Sequence, residues 1–281
     1  MYKGVKMTLL EAIILGFIQG ISEFLPVSSS GHLLVFHHIF GITAEDNLTF
    51  IIVLNMGSLI PLLWVFRQDV RALFRSPFQI FGITSEEKLT AVIVLNKMAW
   101  LLVVSVIPLV VVTVLFMDFI ESMFHLVDYL WVGFIITGVM LLLTDRIKKN
   151  KRTTKDLKLK DAVLVGIAQA FAVFPGISRS GATITASLAR GLDRENAAKF
   201  SFLMSIPSAF GAIALRLSHV VTGRVDIYDL NFVNLIAGFI TAAVTGYLAI
   251  NFMLSVIKKA RLKYFAIYYI FALVVLIVLF F

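Results

Sequence analysis

Residues Gln19 to His32 read QGISEFLPVSSSGH and set a carboxylate, a run of three hydroxyls at Ser28, Ser29 and Ser30, and an imidazole inside apolar sequence. Residues Phe174 to Thr183 read FPGISRSGAT and add a guanidinium to a similar set of hydroxyls. A carboxylate at the centre of a membrane helix costs roughly 2.5 kcal/mol or more, so Glu23 needs a partner, a cavity or a task. Gln19 lies four residues earlier, on the same helical face. The carboxylate and amide carbonyl of that pair are oxygen donors suited to a hard divalent cation, Mg2+ or Ca2+; hydrogen bonding across helices is the alternative. Ser28, Ser29, Ser30 and the backbone at Gly31 supply hydroxyl and N–H donors where a helix starts, as do Ser178, Ser180, Gly181 and Thr183, and helix N-termini favour anions. Arg179 adds a planar, permanently charged fork that matches phosphate oxygens. Two donor clusters with one arginine describe a pocket for a phosphate or diphosphate. Close helix packing would explain the small residues, but not Arg179. His32 can donate or accept a proton near neutral pH, or serve as a hydrogen-bonding partner.

The elements that must position these groups come from a duplicated half. Ala12, Gly16, Gln19, Phe24, Ser28, Ser30 and Gly31 fall opposite Ala162, Gly166, Gln169, Phe174, Ser178, Ser180 and Gly181 at a constant shift of 150, without a gap. Across that shift Glu23 becomes Val173, Ser29 becomes Arg179 and His32 becomes Ala182. One half therefore carries the acid and the imidazole, the other a fixed cation.

The 281 residues are 59% hydrophobic and 15% charged, with a mean hydropathy of +0.95. Such a composition specifies an all-α integral membrane protein. Six windows approach the roughly 20 residues a spanning helix needs: Leu48–Phe66, Ala91–Phe116, Leu126–Thr144, Phe200–Leu217, Phe232–Ile257 and Tyr264–Phe281. With no cysteine, disulfides, thiol chemistry and thiolate metal sites are excluded. The first stretch lacks the charged, apolar and cleavage regions of a removable signal peptide.

The net charge of +8 gathers in short connections, so no nucleic-acid partner is expected. Arg67, Arg71, Arg75 and Lys88 follow one span; Arg146 to Lys160 is rich in lysine; Lys258, Lys259, Arg261 and Lys263 follow a third. The positive-inside rule makes these three connections cytoplasmic. Gly41–Thr49, Met117–His125 and His219–Asn231 hold only Arg224 between them and belong outside. The arms Leu10–Phe24 and Leu33–Phe40 are too short to span, and Pro26, the serines and Gly31 interrupt them, so a re-entrant hairpin is expected. A single kinked helix is the alternative. Asp161–Ala189 repeats the pattern. Parity with the basic connections requires it to enter and leave on the cytoplasmic side. The expectation is one polytopic domain, 1–281, of two inverted-topology repeats, about 1–145 and 161–281. The connection 145–160 joins them as a solvated linker touching anionic lipid.

These motifs resemble the two signatures of the bacterial undecaprenyl-diphosphate phosphatases of the bacitracin-resistance type. Gln19, Glu23, Pro26, Ser28, Ser29, Gly31 and His32 fill the first, and Pro175, Gly176, Ser178, Arg179, Ser180 and Thr183 fill the second. The resemblance covers the whole chain; where some members carry Glu, this sequence has Gln19. It implies metal-dependent hydrolysis of undecaprenyl diphosphate to undecaprenyl phosphate, recycling the carrier lipid for cell-wall synthesis. It also implies a plasma (inner) membrane location, a site open to the periplasmic face, and a homodimer. On that basis Arg179 would hold phosphate oxygens, Glu23 with Gln19 would hold the metal or activate the nucleophile, and His32 would shuttle the proton. Ser29 would attack or position a water, and a groove between spans would take the polyprenyl tail. A secondary or lipid-carrier transporter is the main rival, since inverted repeats with broken helices are the common transporter plan. A purely structural scaffold would leave Glu23, His32 and Arg179 unexplained.

Overall fold

The computed structural model describes residues 7–42, 44–78, 85–124, 126–144, 146–147, 151–221, 231–259 and 262–280, with the side chains of 44–49, 216 and 219–221 excluded. Lys148, Lys149, Arg224 and Arg261 of the charge pattern, and residues 222–230 of the His219–Asn231 connection, lie outside the described residues. Among the described residues every regular element is helical, and one isolated bridge joins Arg152 to Leu192.

The first half comprises α1 (Leu9–Phe24), α2 (Ser29–Phe40), α3 (Ala44–Val65), α4 (Arg67–Arg75), α5 (Glu86–Leu115), α6 (Met117–Phe124) and α7 (Leu130–Thr144). The second comprises α8 (Leu159–Phe171), α9 (Arg179–Ala189), α10 (Arg194–Val221), α11 (Phe232–Lys258) and α12 (Lys263–Phe280). Five helices are long and apolar enough to cross a membrane, and six if α3 and α4, bent by 80°, count as one broken span. Their outer faces are apolar: Trp100, Val114 and Val278 are each more than two-thirds exposed, as lipid-facing residues would be. The short helices α4 and α6 stand where the sequence indicated plain connections.

Both expected interruptions are present. Thr8 starts α1 with a capping box, its Oγ1 accepting from the Glu11 N–H while Glu11 Oε2 accepts from the Thr8 N–H at 2.6 Å. The helix stops at Phe24, before Leu25 and Pro26, because a proline ring disfavours helical geometry in the residue before it. Ser28 then caps α2, accepting from the Gly31 N–H at 3.3 Å. In the second half Ser178 caps α9 in the same way, on the Gly181 N–H at 3.1 Å.

The two interruptions pack directly on one another. A Cβ on Gly31 would lie 2.5 Å from the Phe134 ring and 3.1 Å from Gly176 Cα. Gly176 itself has φ +86°, a conformation open mainly to glycine. Ser180 Oγ donates to the Leu25 carbonyl at 3.1 Å, and the Ser178 N–H donates to Thr137 Oγ1 of α7 at 3.0 Å. Around this centre α1 lies along α11, and α8 lies along α5. Gly16 faces the Gly238 backbone and Gly166 the Ser105 backbone, each too close for a Cβ.

The basic connection differs from the solvated linker expected. Residues 151–158 fold against the base of α8 and α9. Asp161, fully buried, accepts from Arg152 at 2.7 Å, from Arg190 at 2.8 Å and from the Lys158 N–H at 3.0 Å. Leu157 is also fully buried. The Asp193 N–H donates to the Arg152 carbonyl at 2.8 Å, which stitches the connection to the loop after α9. A buried carboxylate with two arginine partners is what a run of lysines and arginines conceals in sequence.

Candidate active site

A cavity of about 220 Å3 lies between the two helix breaks, α3 and α10. Glu23, Ser28, Ser29 and Ser30 line it from the first half, Ser178 and Arg179 from the second. Glu23 is the hub. Its Oε2 accepts from Ser29 Oγ at 2.7 Å and from Gln19 Nε2 at 3.1 Å, and its Oε1 pairs with Arg179 Nη2. The acid of one repeat and the cation of the other thus meet, 156 residues apart in sequence. Ser28 and Ser30 share a hydrogen bond at 3.3 Å, and Ser178 and Ser180 share one at 3.2 Å.

The Glu23 and Arg179 side chains are only 12% and 27% exposed, so their pairing offsets the cost of desolvating both charges. A guanidinium carries five N–H donors, so Arg179 keeps donors for phosphate oxygens beside the one on Glu23. Ser180 and Thr183 stand behind this pair. They line a recess of about 10 Å3, with Ser201 and Ser205. Thr183 Oγ1 donates to the Arg179 carbonyl at 2.8 Å, which steadies the first turn of α9.

Three placements differ from the sequence expectation. The Gly31 and Gly181 N–H groups are taken by the caps Ser28 and Ser178, and both glycines stand in close packing. Gln19 presents its amide nitrogen to Glu23 and, at 2.9 Å, to Asn55 Oδ1, with its carbonyl turned away from both. His32 is outside the cavity lining: its Nδ1–H donates to the Ser28 carbonyl at 2.8 Å, and its ring stacks on Phe134.

Asn55, Ser58 and Ser205 are polar groups of the site that motif reading missed. Isolated polar residues on a span carry no spacing signal. The constant shift of 150 does carry one, because it pairs Asn55 with Ser205 and Ser58 with Ser208. The structure repeats the pairing: Gln19 Nε2 reaches Ser58 Oγ at 3.5 Å, and Gln169 Nε2 reaches Ser208 Oγ at 2.9 Å. As a metal site, the described residues show no convergence of three His, Cys, Asp or Glu side chains. One carboxylate, Glu23, beside the Asn55 carbonyl oxygen matches the Mg2+ habit of binding through one or two carboxylates plus substrate phosphates.

Such a cavity brings together groups that suit an oxyanion. A carboxylate accepts from a serine, an arginine sits beside them, and hydroxyls surround both. The family model described as "Bacitracin resistance protein BacA" matches residues 12–275. A protein named undecaprenyl-diphosphatase from Carboxydothermus hydrogenoformans is 38% identical over 258 residues, covering 92% of each chain. One of the same name from Methanobrevibacter smithii is 38% identical over 93% of this chain and 94% of its own. Undecaprenyl-diphosphatase 4 from Bacillus thuringiensis is also 38% identical, over 97% of each. Both sequence signatures, their meeting at Glu23 and Arg179, and the end-to-end match lead to one conclusion: this chain is a member of the bacitracin resistance protein BacA family.

Proposed function

We propose that the chain hydrolyses undecaprenyl diphosphate to undecaprenyl phosphate and inorganic phosphate, returning the carrier lipid to cell-wall synthesis and so giving bacitracin resistance. The observation that carries this is the Glu23 hub, which brings Ser29 and Arg179 onto one carboxylate inside a hydroxyl-lined cavity. Arg179 binds the phosphate oxygens and offsets the charge that grows as the phosphorus–oxygen bond breaks. Glu23 takes the proton of the attacking hydroxyl, that of a water Ser29 holds or that of Ser29 itself; in the second case undecaprenyl phosphate leaves and a water then hydrolyses the phosphoserine to release phosphate. Onward passage of the Glu23 proton through His32 belongs to the same proposal; Nε2 lies on the Tyr268 hydroxyl, the group with which it would exchange. Ser28, Ser30, Ser178, Ser180 and Thr183 orient the head group, and Gly31 and Gly181 let the two breaks approach. A Mg2+ or Ca2+ ion would be held by Glu23 and Asn55, with Gln19 after rotation of its amide, and would neutralise diphosphate charge.

The cavity is smaller than the roughly 300–1,000 Å3 of drug-sized sites, which suits a head group and leaves the polyprenyl chain among the spans. Phe124 of α6 borders it, and α6 belongs to a connection without basic residues. That supports a site opening to the extracytoplasmic face of the bacterial plasma membrane. The matched packing of α1 on α11 and α8 on α5 supports two inverted repeats with re-entrant hairpins within a single domain. A homodimer belongs to the same proposal and is read from the mass of the purified protein by light scattering.

The test is phosphate release from a polyprenyl diphosphate by the purified protein in detergent, with and without a chelator, beside Arg179→Ala. Chelator-sensitive release that the variant lacks is the expected result. The repeat symmetry also suits a lipid-carrier transporter; absence of release under every condition, with movement of substrate across vesicles, would put that in place of the enzyme.

A further inference from the structure

His32 is held by contacts that reach the far end of the chain. The Ser28 carbonyl oxygen can only accept, so the 2.8 Å contact fixes a proton on His32 Nδ1. The lone pair of the neutral ring is then on Nε2. The hydroxyl of Tyr268, on α12 and 236 residues away, lies 2.5 Å from that atom and donates to it. Phe134 stacks on the imidazole with centroids 5.4 Å apart, and the Tyr268 ring lies at 5.7 Å. Swinging His32 toward the cavity would break both hydrogen bonds and both ring contacts.

What this clamp supports is the turn before Ser29. Ser28 is the one non-glycine residue with positive φ among those described, at 67°. A left-handed conformation is costly for a residue with a Cβ and persists only where neighbours hold it. Its carbonyl accepts from the His32 N–H at 3.2 Å as well as from Nδ1. Its hydroxyl accepts from Gly31. The next residue is Ser29, aimed at Glu23.

We propose that Tyr268 is a positioning residue for phosphate release: its hydroxyl holds His32 in the Nδ1–H tautomer, and His32 in turn holds the Ser28 turn that directs Ser29 Oγ at Glu23. The proposal rests on the diphosphatase function. Tyr268 is not among the residues that line the cavity, so its effect passes through His32. Tyr268→Phe keeps the ring stack and removes only the hydroxyl. It is expected to lower kcat about tenfold while leaving KM unchanged, the pattern of a lost transition-state interaction. With 15N-labelled histidine in the purified protein, wild-type His32 should show one protonated and one bare ring nitrogen. Tyr268→Phe should move the bare one, and a His32→Gln sample identifies the resonance. An unchanged kcat overturns the proposal. So does a lower kcat with an unmoved His32 resonance, which would make Tyr268 a packing residue. The nitrogen spectrum needs no substrate: if wild type releases no phosphate, the enzymatic function falls, and the spectrum still decides whether Tyr268 sets the His32 tautomer.

Discussion

Glu23 accepts from Ser29, Gln19 and Arg179, and each partner lost tests a different part of the chemistry. Arg179→Lys keeps the charge and loses the planar fork, so phosphate release should fall about 100-fold or more in kcat, near the loss for one oxyanion donor. Wild-type turnover in that variant would remove the guanidinium from the transition state. Ser29→Ala separates attack by serine from attack by water. If Ser29 forms the bond to phosphorus, radiolabelled phosphate is trapped on the wild type, and the variant neither traps it nor turns over; if it only holds a water, neither protein traps phosphate and turnover falls by about the 10- to 100-fold worth of one hydrogen bond to a charged group. At this scale the sequence showed which residues carry charge and could not show which atoms face one another. Gln19 and Glu23 share a helical face, as their spacing requires, yet the amide nitrogen meets the carboxylate. His32 is three residues from Ser29, but its ring follows the aromatic partners Phe134 and Tyr268, contributed by distant spans that no motif includes.

Helix starts were legible because they rest on local chemistry: a serine cap, a proline and a glycine fix each break within a few residues. The packing of the breaks depends on backbones far apart in sequence. A Cβ on Gly20 would lie 2.0 Å from Thr245 Oγ1 and 2.5 Å from the Ala242 carbonyl of α11. Gly20→Val should therefore push α1 off α11, lower stability by about 1–3 kcal/mol or more and reduce activity with it. Thermal unfolding in detergent reads the first effect, and an unchanged midpoint would mean α1 shifts freely. The folded connection before α8 offers a second test. Burial alone would raise the Asp161 carboxyl, but hydrogen bonds from Arg152 and Arg190 outweigh it and hold the value down at about 2. Because the folded value is depressed, the stabilisation is complete above the unfolded carboxylate value of about 3.9 and is lost as pH falls through about 2. The unfolding midpoint should fall with acid in that window, and Asp161→Asn should lack this component while being less stable at neutral pH, its two arginines having lost their anion.

At the scale of the whole molecule, one shift of 150 relates the caps, the Gln19–Ser58 and Gln169–Ser208 contacts, and the two helix pairings across the halves. The positive-inside rule predicts a membrane orientation, and the absence of cysteine makes it testable without background, since any thiol introduced is the only one present. Ser122→Cys on α6 should react with a membrane-impermeant maleimide in intact cells, because α6 belongs to the connection without basic residues and borders the cavity. Lys155→Cys, in the folded basic connection, should react only after the membrane is opened. Lys160→Cys in the first turn of α8 and Glu195→Cys in the first turn of α10 mark the two ends of the hairpin and should both behave like Lys155→Cys, because a re-entrant hairpin returns to the side it left. If Glu195→Cys instead reacts from outside, α8 and α9 together cross once, the halves share an orientation, and the inverted repeat fails. Labelling of Ser122→Cys only from inside would turn the cavity toward the cytoplasm. A cavity on that face would meet lipid diphosphate of the cytoplasmic leaflet, and one that opens outside would meet lipid of the outer leaflet; the side on which α6 lies therefore decides which leaflet supplies the substrate.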